Sequence, residues 1–262
     1  MPSALGLLRR ATRHDPARPR LTWYDDASGE RVELSGTTLL TWVAKTAHLL
    51  SGDLGLGPGD RLSVDLPRHW TAAVCWLAAD AVGAQLSPVP GPAGAGTSDA
   101  VDVAVVGPDA LLGSIGAHEV VAVSLRPMGA PFVDPLPPLV HDFSLEVRSQ
   151  PDDFPFGPDP TTPAGDLGVD LAAAWALGPR DRVLVCDAWP PGDPVGPDLA
   201  AAWAADASVV WVRNARARFD VERWTAEQVT AVVAEPAPAG GEPHPAPPPE
   251  SSIRVLNRPS VS

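Results

Sequence analysis

Two segments of this chain repeat the same design, and this repeat constrains the fold more than any other feature. Residues 56–64 read LGPGDRLSV, and residues 177–185 read LGPRDRVLV. Each copy is followed by an Ala-rich pattern with helical spacing, at 72–79 and at 199–205, and then by a short β-rich run. Two strand–helix–strand units predict an α/β protein made of two packed, mainly parallel-sheet halves.

Local patterns divide the rest of the chain. A turn between two β-rich runs predicts a hairpin over 21–34, and a helix is predicted over about 109–117. Prolines crowd the middle of the chain and its last residues. The sequence therefore predicts a first α/β half over 1–126, a Pro-rich crossover over 127–168, a second α/β half over 169–236 and a disordered Pro-rich tail over 237–262.

Composition excludes several classes of function. The net charge of −13 argues against nucleic acid and anionic membranes as partners. No apolar run approaches the ~20 residues of a membrane helix, so we expect a cytoplasmic protein. Cys75 and Cys186 are predicted to be buried free thiols, and without a CxxC motif or a histidine cluster we expect no metal site. Of 19 basic residues only Lys45 is a lysine, a bias typical of GC-rich bacterial genomes.

The repeat and its surroundings resemble the N-terminal domain of adenylate-forming enzymes, the superfamily of acyl-CoA synthetases and AMP ligases. Residues 34–39 are similar to the family's Leu-Ser/Thr-Tyr-x-Glu-Leu helix start, and residues 55–62 to its Gly-x-x-x-Gly-Asp-Arg-Val strand entry. Residues 77–88 are similar to Leu-Lys-Ala-Gly-Ala-x-x-x-Pro, and residues 228–236 to a late Lys-Val-Thr strand ending in Pro. The resemblance covers residues 15–236 and implies a shortened version of that domain.

The family's phosphate loop is Ser/Thr/Gly-rich and ends in Pro-Lys-Gly, whereas residues 157–166 of this chain read GPDPTTPAGD. Prolines lack the N–H groups that hold phosphate oxygens, and aspartates repel a triphosphate. No lysine is present there to neutralise the phosphates. The family's adenine- and magnesium-contacting Tyr-x-x-Thr-Glu, its ribose-binding Asp and its C-terminal domain with a catalytic lysine are also expected to be missing.

The resemblance therefore implies no catalytic residue and no bound cofactor in this chain, with ATP or AMP binding left without a supporting motif. The first hypothesis is a non-catalytic binding or regulatory protein that keeps a groove between its halves for an acyl, nucleotide or protein partner. A second hypothesis is one half of a split acyl-CoA synthetase-like ligase, completed by a partner chain. A third is a module that only binds other proteins.

Four residues are candidates for a ligand-binding site because they follow the strands of the repeat. Ligands of open α/β sheets bind beyond the carboxyl ends of strands. Arg68, His69 and Trp70 follow the first repeat strand, and Trp189 follows the second. Capping of the core is the alternative role for all four. Trp42, by contrast, falls within an apolar helical pattern and is predicted to pack in the core.

Overall fold

Each of the two units of this protein is built around its own β-sheet. One unit takes Met1–Thr37 together with Thr161–Ser262, and the other takes Thr38–Pro160. Both sheets are mainly parallel, which confirms the predicted α/β class. The computed structural model describes residues 3–87, 101–111, 117–157, 163–186, 196–215, 220–234 and 253–257.

The described elements follow one another in this order. The strands are β1 Pro19–Asp25, β2 Glu30–Ser35, β3 Arg61–Asp65, β4 Gln85–Ser87, β5 Val101–Val106, β6 Ala117–Ala122, β7 Val140–Asp142, β8 Arg182–Cys186, β9 Ser208–Arg213, β10 Ala231–Ala234 and β11 Arg254–Asn257. The α-helices are α1 Ala4–His14, α2 Gly36–His48, α3 Trp70–Val82, α4 Phe143–Glu146, α5 Pro163–Ala174, α6 Gly196–Ala204 and α7 Val221–Ala226.

The unit Thr38–Pro160 contains a five-stranded, fully parallel sheet with the order β4-β3-β5-β6-β7. Its central strand β5 is almost continuously apolar and buried, as expected for a strand covered on both faces. Helix α3 is buried along most of its length and ends at Gly83, whose φ of 76° is the left-handed conformation that glycine adopts at a helix C-terminus. A π-helical turn, Leu49–Asp53, extends α2.

The other unit contains a six-stranded sheet with the order β11-β10-β8-β9-β1-β2. Only the β1–β2 hairpin is antiparallel among the described pairings of this sheet, and β1 also pairs in parallel with β9. This pairing explains why the unit boundaries differ from the regions predicted at 126 and 168. The N-terminal hairpin belongs to the sheet of the C-terminal half. Leu21 of β1 pairs with Val209 of β9, so strands that are neighbours in space lie far apart in the sequence.

The repeated motif forms the same turn in both units. In the first copy, the Asp60 carboxylate accepts a hydrogen bond from the Gly57 N–H at 2.8 Å, and in the second copy Asp181 accepts one from Gly178 at 2.8 Å. The carbonyl of the same aspartate then accepts from the first residue of the strand that follows the helix, Gln85 or Ser208. The repeat is therefore a structural device that closes a strand–helix–strand unit.

Three local predictions differ from the structure. The helix predicted over 109–117 begins as a single 3-10 turn, Pro108–Ala110, and residues 112–116 lie outside the described part. The Pro-rich crossover contains β7 and α4. Asp142, the last residue of β7, caps α4 by accepting a hydrogen bond from the Ser144 N–H at 2.8 Å. The predicted disordered tail contains β11, because Arg254–Asn257 finds a parallel partner in β10.

Candidate functional site

A cleft lies at the carboxyl edge of the five-stranded sheet in Thr38–Pro160. The carboxyl ends of parallel strands meet at one edge of a sheet, and here the segments that follow β3, β6 and β7 wall the same space. The cleft encloses about 270 Å³ including its opening to solvent, and its interior holds about one water molecule. Its walls are formed by Trp42, His69, Trp70, Thr71, Val123, Ser124, Leu125, Arg126, Gly129, Phe143, Ser144 and Val147.

His69 caps the first turn of α3 and has a defined tautomer. Its Nδ1 lies 3.3 Å from the Thr71 backbone N–H and 2.7 Å from the Thr71 hydroxyl. Because the backbone N–H can only donate, Nδ1 is the acceptor, and the neutral ring carries its proton on Nε2. The side chain is almost fully buried, so this cap holds the ring and its Nε2–H donor in a fixed orientation.

Two indoles form an aromatic wall of the cleft. Trp70, at the start of α3, packs edge-to-face on Trp42 of α2 with 5.1 Å between ring centroids. Only 4% of Trp70 is exposed, and its buried Nε1–H has no hydrogen-bond partner among the described residues. A buried donor without an acceptor costs about 1–3 kcal/mol.

A tight turn after β6 forms another wall. The Ser124 hydroxyl donates to the Ala130 carbonyl, and the exposed Arg126 guanidinium donates to the Pro131 carbonyl at 2.6 Å. Leu125 and Met128 have φ values of 54° and 59°, the left-handed conformation that non-glycine residues rarely adopt. Gly129, also left-handed, lies beside the Trp70 ring, and a Cβ at this position would be in ordinary contact with it at 3.6 Å.

Not all of the four candidate residues are found at the cleft. His69 and Trp70 line the cleft, and Arg68 lies buried beside them without being among the lining residues. Trp189 lies outside the described residues, so its role stays a prediction. Trp42 was predicted to pack in the core, but its side chain is only half-buried and its ring packs against Trp70 in the wall of the cleft. Ser124 and Arg126 follow β6, in the same way as the candidate residues follow β3. Ligands of open α/β sheets bind beyond the carboxyl ends of strands, so the residues after β6 could have been predicted from the sequence by the same argument.

The single lysine contributes to structure in the same unit. The Lys45 ammonium group on α2 lies 2.7 Å from the Asp152 carboxylate and donates to the carbonyls of Gln150 and Arg148. Its neighbour His48, one turn further along α2, bonds the Asp153 carbonyl at 2.7 Å. Lys45 therefore ties α2 to the segment that precedes Pro160.

Ionisable side chains of the other unit form a second cluster. Glu227 is buried and accepts hydrogen bonds from the Tyr24 hydroxyl, from Arg31 at 3.0 Å and from Arg182. Burial alone would raise the pKa of Glu227, but these hydrogen bonds hold its pKa below the ordinary value. Both oxygens of the carboxylate have protein partners, so the cluster stabilises the fold.

The described residues provide neither a metal site nor a membrane-spanning helix. No group of three or more His, Cys, Asp or Glu side chains within those ranges is arranged to hold a metal ion. None of the helices in the described part combines the length and the apolarity that a bilayer crossing requires. The counterpart of the phosphate loop falls largely on residues 158–162, which lie outside the described part.

Solved acyl-CoA synthetases share the fold. The chain superposes on acetoacetyl-CoA synthetase from Streptomyces lividans with a TM-score of 0.65 and 17% identity, covering 88% of this chain and 42% of that one. It superposes on an acyl-CoA synthetase of Brucella canis with a TM-score of 0.66 and 18% identity, covering 88% and 47%. The chain thus spans less than half of either ligase. This likeness confirms the fold that the sequence resemblance implied, and at such identities it concerns the fold alone.

Sequence comparison identifies the family. No family model matches the chain. A "TIGR03089 family protein" of Mycobacterium tuberculosis (strain ATCC 25618 / H37Rv) is 38% identical over 235 residues, which cover 84% of this chain and 93% of that protein. An identity of this size across nearly the whole of the relative means that the protein belongs to the TIGR03089 family.

Proposed function

We propose that this protein is a non-catalytic member of the adenylate-forming fold, which binds a ligand or a partner and forms no adenylate. One observation carries the proposal. The only lysine of the chain, Lys45, is bound to Asp152 and to two backbone carbonyls, as a structural tether. The resemblance places a lysine in the phosphate loop and another in the C-terminal domain, and Lys45, held by Asp152, is the single lysine of this chain.

The chemistry of residues 157–166 supports the same proposal. Pro158, Pro160 and Pro163 remove three backbone N–H donors from a ten-residue segment, and Asp159 and Asp166 add negative charge. A phosphate cradle depends on successive backbone N–H groups that point into one concavity. The chemistry of these residues does not fit a nucleoside triphosphate.

Exchange of pyrophosphate into ATP tests the proposal. The purified chain is incubated with ATP, Mg²⁺, labelled pyrophosphate and a panel of carboxylic acids, with an acyl-CoA synthetase of the same fold as the positive control. We expect no exchange above the blank for any acid. Exchange that depends on an added acid would overturn the proposal, and its loss in Lys45→Arg, which keeps the positive charge of the tether, would show that Lys45 acts in catalysis.

The same assay separates the split-ligase hypothesis from the non-catalytic one. If a second chain carrying a phosphate loop and a lysine restores acid-dependent exchange, the protein is one half of a ligase. If no added chain does so, binding remains the proposed role. The part of the ligase fold that this chain shares supports both hypotheses, and the assay with an added chain decides between them.

A further inference from the structure

Two exposed turns of the unit Thr38–Pro160 share one design. In the turns 126–129 and 137–140, the N–H of the fourth residue donates to the carbonyl of the first, at 3.1 Å and 3.2 Å. Proline fills the second position of both turns. Met128 and Leu139 fill the third position, with φ values of 59° and 68°. Because proline cannot adopt a positive φ itself, this combination makes both of them type II turns.

Neither turn has the residue that its third position favours, which is glycine. Met128 and Leu139 instead carry large apolar side chains, and these are 83% and 90% exposed. Val133, between the turns, and Leu145 of α4 are exposed as well, so four of the eight exposed large apolar side chains of the described residues lie within 128–145. No burial within the described part of the chain compensates the strain at the two tips.

Hydrogen bonds tie both turns to the surroundings of α4. The Arg148 guanidinium, just beyond α4, donates to the Gly129 carbonyl of the first turn at 2.9 Å. Asp142, which caps α4 two residues after the second turn, also accepts from the Phe132 N–H at 3.1 Å. The two tips are therefore held by a braced scaffold. Side chains that are fixed in this way lose little freedom when a partner covers them.

We infer that the two proline turns form a docking surface for a second copy of this chain, with Met128 and Leu139 at its centre. Strained backbone persists where the surrounding structure imposes it, and it clusters at functional sites. Exposed apolar patches with a polar rim mark contacts between proteins. Burial against a partner supplies the compensation that the strained tips lack within one chain.

The charges around the tips favour a second copy as the partner. A chain with a net charge of −13 repels its own copies, so an interface between copies needs balanced charges. Arg126 and Arg148 are exposed in this region, and Asp134 and Glu146 supply the opposite sign. Asp134 forms no ion pair with any described residue. In a two-fold dimer, the arginines of one copy face Asp134 of the other while the apolar tips meet.

Sedimentation equilibrium of the full chain tests the inference. The surface is small, so we expect a reversible monomer–dimer equilibrium and not a permanent dimer. Runs at about 5 to 500 µM cover the affinities of such interfaces. The mean mass should rise from that of the monomer towards that of the dimer. A chain that stays monomeric throughout this range overturns the inference.

Two variants locate the surface. Met128→Asn and Leu139→Asn remove the apolar tips, and asparagine tolerates the left-handed conformation, so circular dichroism should show that both fold. We expect each to weaken dimerisation by at least about fivefold. Val221→Asn, the same change at an exposed apolar side chain of the other unit, should leave the dissociation constant unchanged. Unchanged dimerisation in Leu139→Asn, or equal weakening in all three variants, overturns the assignment of the surface.

A charge reversal tests the pairing between the copies. Asp134→Arg places a cation opposite the arginines of the second copy, so we expect dimerisation to weaken by at least about fivefold. Added salt screens charges at an exposed rim, and the difference from wild type should therefore shrink at high ionic strength. A dissociation constant that does not respond to this substitution overturns the two-fold arrangement.

Discussion

Two of the left-handed residues in the described part of the chain carry large apolar side chains that are exposed. Met128 and Leu139 have φ values of 59° and 68°, and 83% and 90% of their surfaces are exposed. A large apolar side chain in a left-handed conformation pays for steric strain without the compensation of core packing. Met128 lies in the turn after β6, between the cleft residues Arg126 and Gly129. At Leu139 no contact within the described residues explains the choice of residue.

Leu139 therefore offers a direct test of strain. Leu139→Asn should stabilise the protein by ~0.5–1 kcal/mol, because asparagine adopts the left-handed conformation more readily and no buried contact is lost. Leu139→Val should destabilise it by ~1 kcal/mol, because β-branching makes the same conformation worse. Urea unfolding of the two variants measures both effects. Equal stabilities would show that the backbone relaxes at this turn.

The close contact between α5 and α6 depends on Gly168 of α5. A Cβ on Gly168 would lie 2.4 Å from the Ala200 Cβ and 2.9 Å from the Ala200 carbonyl carbon, which is closer than real Cβ atoms approach. The two helices therefore touch through a glycine and an alanine.

Gly168→Ala should cost ~1–3 kcal/mol of unfolding free energy through overpacking. Gly52→Ala is the matched control: a Cβ there meets nothing within 4 Å, and a lower entropy of the unfolded chain should stabilise the variant by ~0.4–1 kcal/mol. Thermal melts of both variants decide the matter. A Gly168→Ala melting temperature at or above that of the wild type would contradict the predicted clash.

At the scale of elements, the charged cluster around Glu227 joins β1, β2 and β8 to the end of α7. Tyr24 belongs to β1, Arg31 to β2 and Arg182 to β8, and all three donate to one carboxylate. Removing one partner from a satisfied buried cluster leaves the others desolvated and unpaired. The cluster therefore holds the hairpin onto the parallel part of the sheet.

Glu227→Gln should destabilise the protein by ~2 kcal/mol at pH 7, as expected for hydrogen bonds to a charged group. Because the pKa of Glu227 is lowered in the folded state, its contribution is present above the ordinary value of 4.5 and is lost as the pH falls through the folded pKa. The gap between wild type and variant should thus close in acid. Urea unfolding from pH 3 to pH 7 measures it, with the exposed Glu222→Gln as control; a gap that does not change with pH would refute the prediction.

On the scale of the whole molecule, one sheet is assembled from three remote parts of the chain. The hairpin β1–β2 comes from the first residues, β8 to β10 from the second half, and β11 from the end. Arg254 of β11 pairs with Asp181 at 2.6 Å, and the Asn257 carbonyl accepts from the Trp175 indole at 2.8 Å. Residues near the C-terminus therefore belong to the folded protein, although their composition predicts disorder.

Removal of residues 253–262 should lower the unfolding free energy by ~2–4 kcal/mol, because it uncovers Val233 and Trp175 and discards buried Leu256. The variant Arg254→Ala, which keeps the strand and loses the ion pair with Asp181, should cost under ~1 kcal/mol. Denaturant titrations compare the two. If the truncation proves as stable as wild type, β11 is not needed for the fold.

Patterns within about 30 residues determined much of this protein. The repeat, the hairpin and the Val-rich runs predict β1, β2, β3, β5, β8 and β9, because side-chain periodicity and turn chemistry are local properties. Position after a strand also pointed to His69 and Trp70. The tertiary structure alone decided that β1 pairs with β9, that β11 adds an edge strand, and that Trp42 packs against Trp70 in the wall of the cleft. Those contacts join residues far apart in sequence. The chain has several similar apolar strands and helix faces, and their packing decides which of them meet. No local pattern encodes that choice.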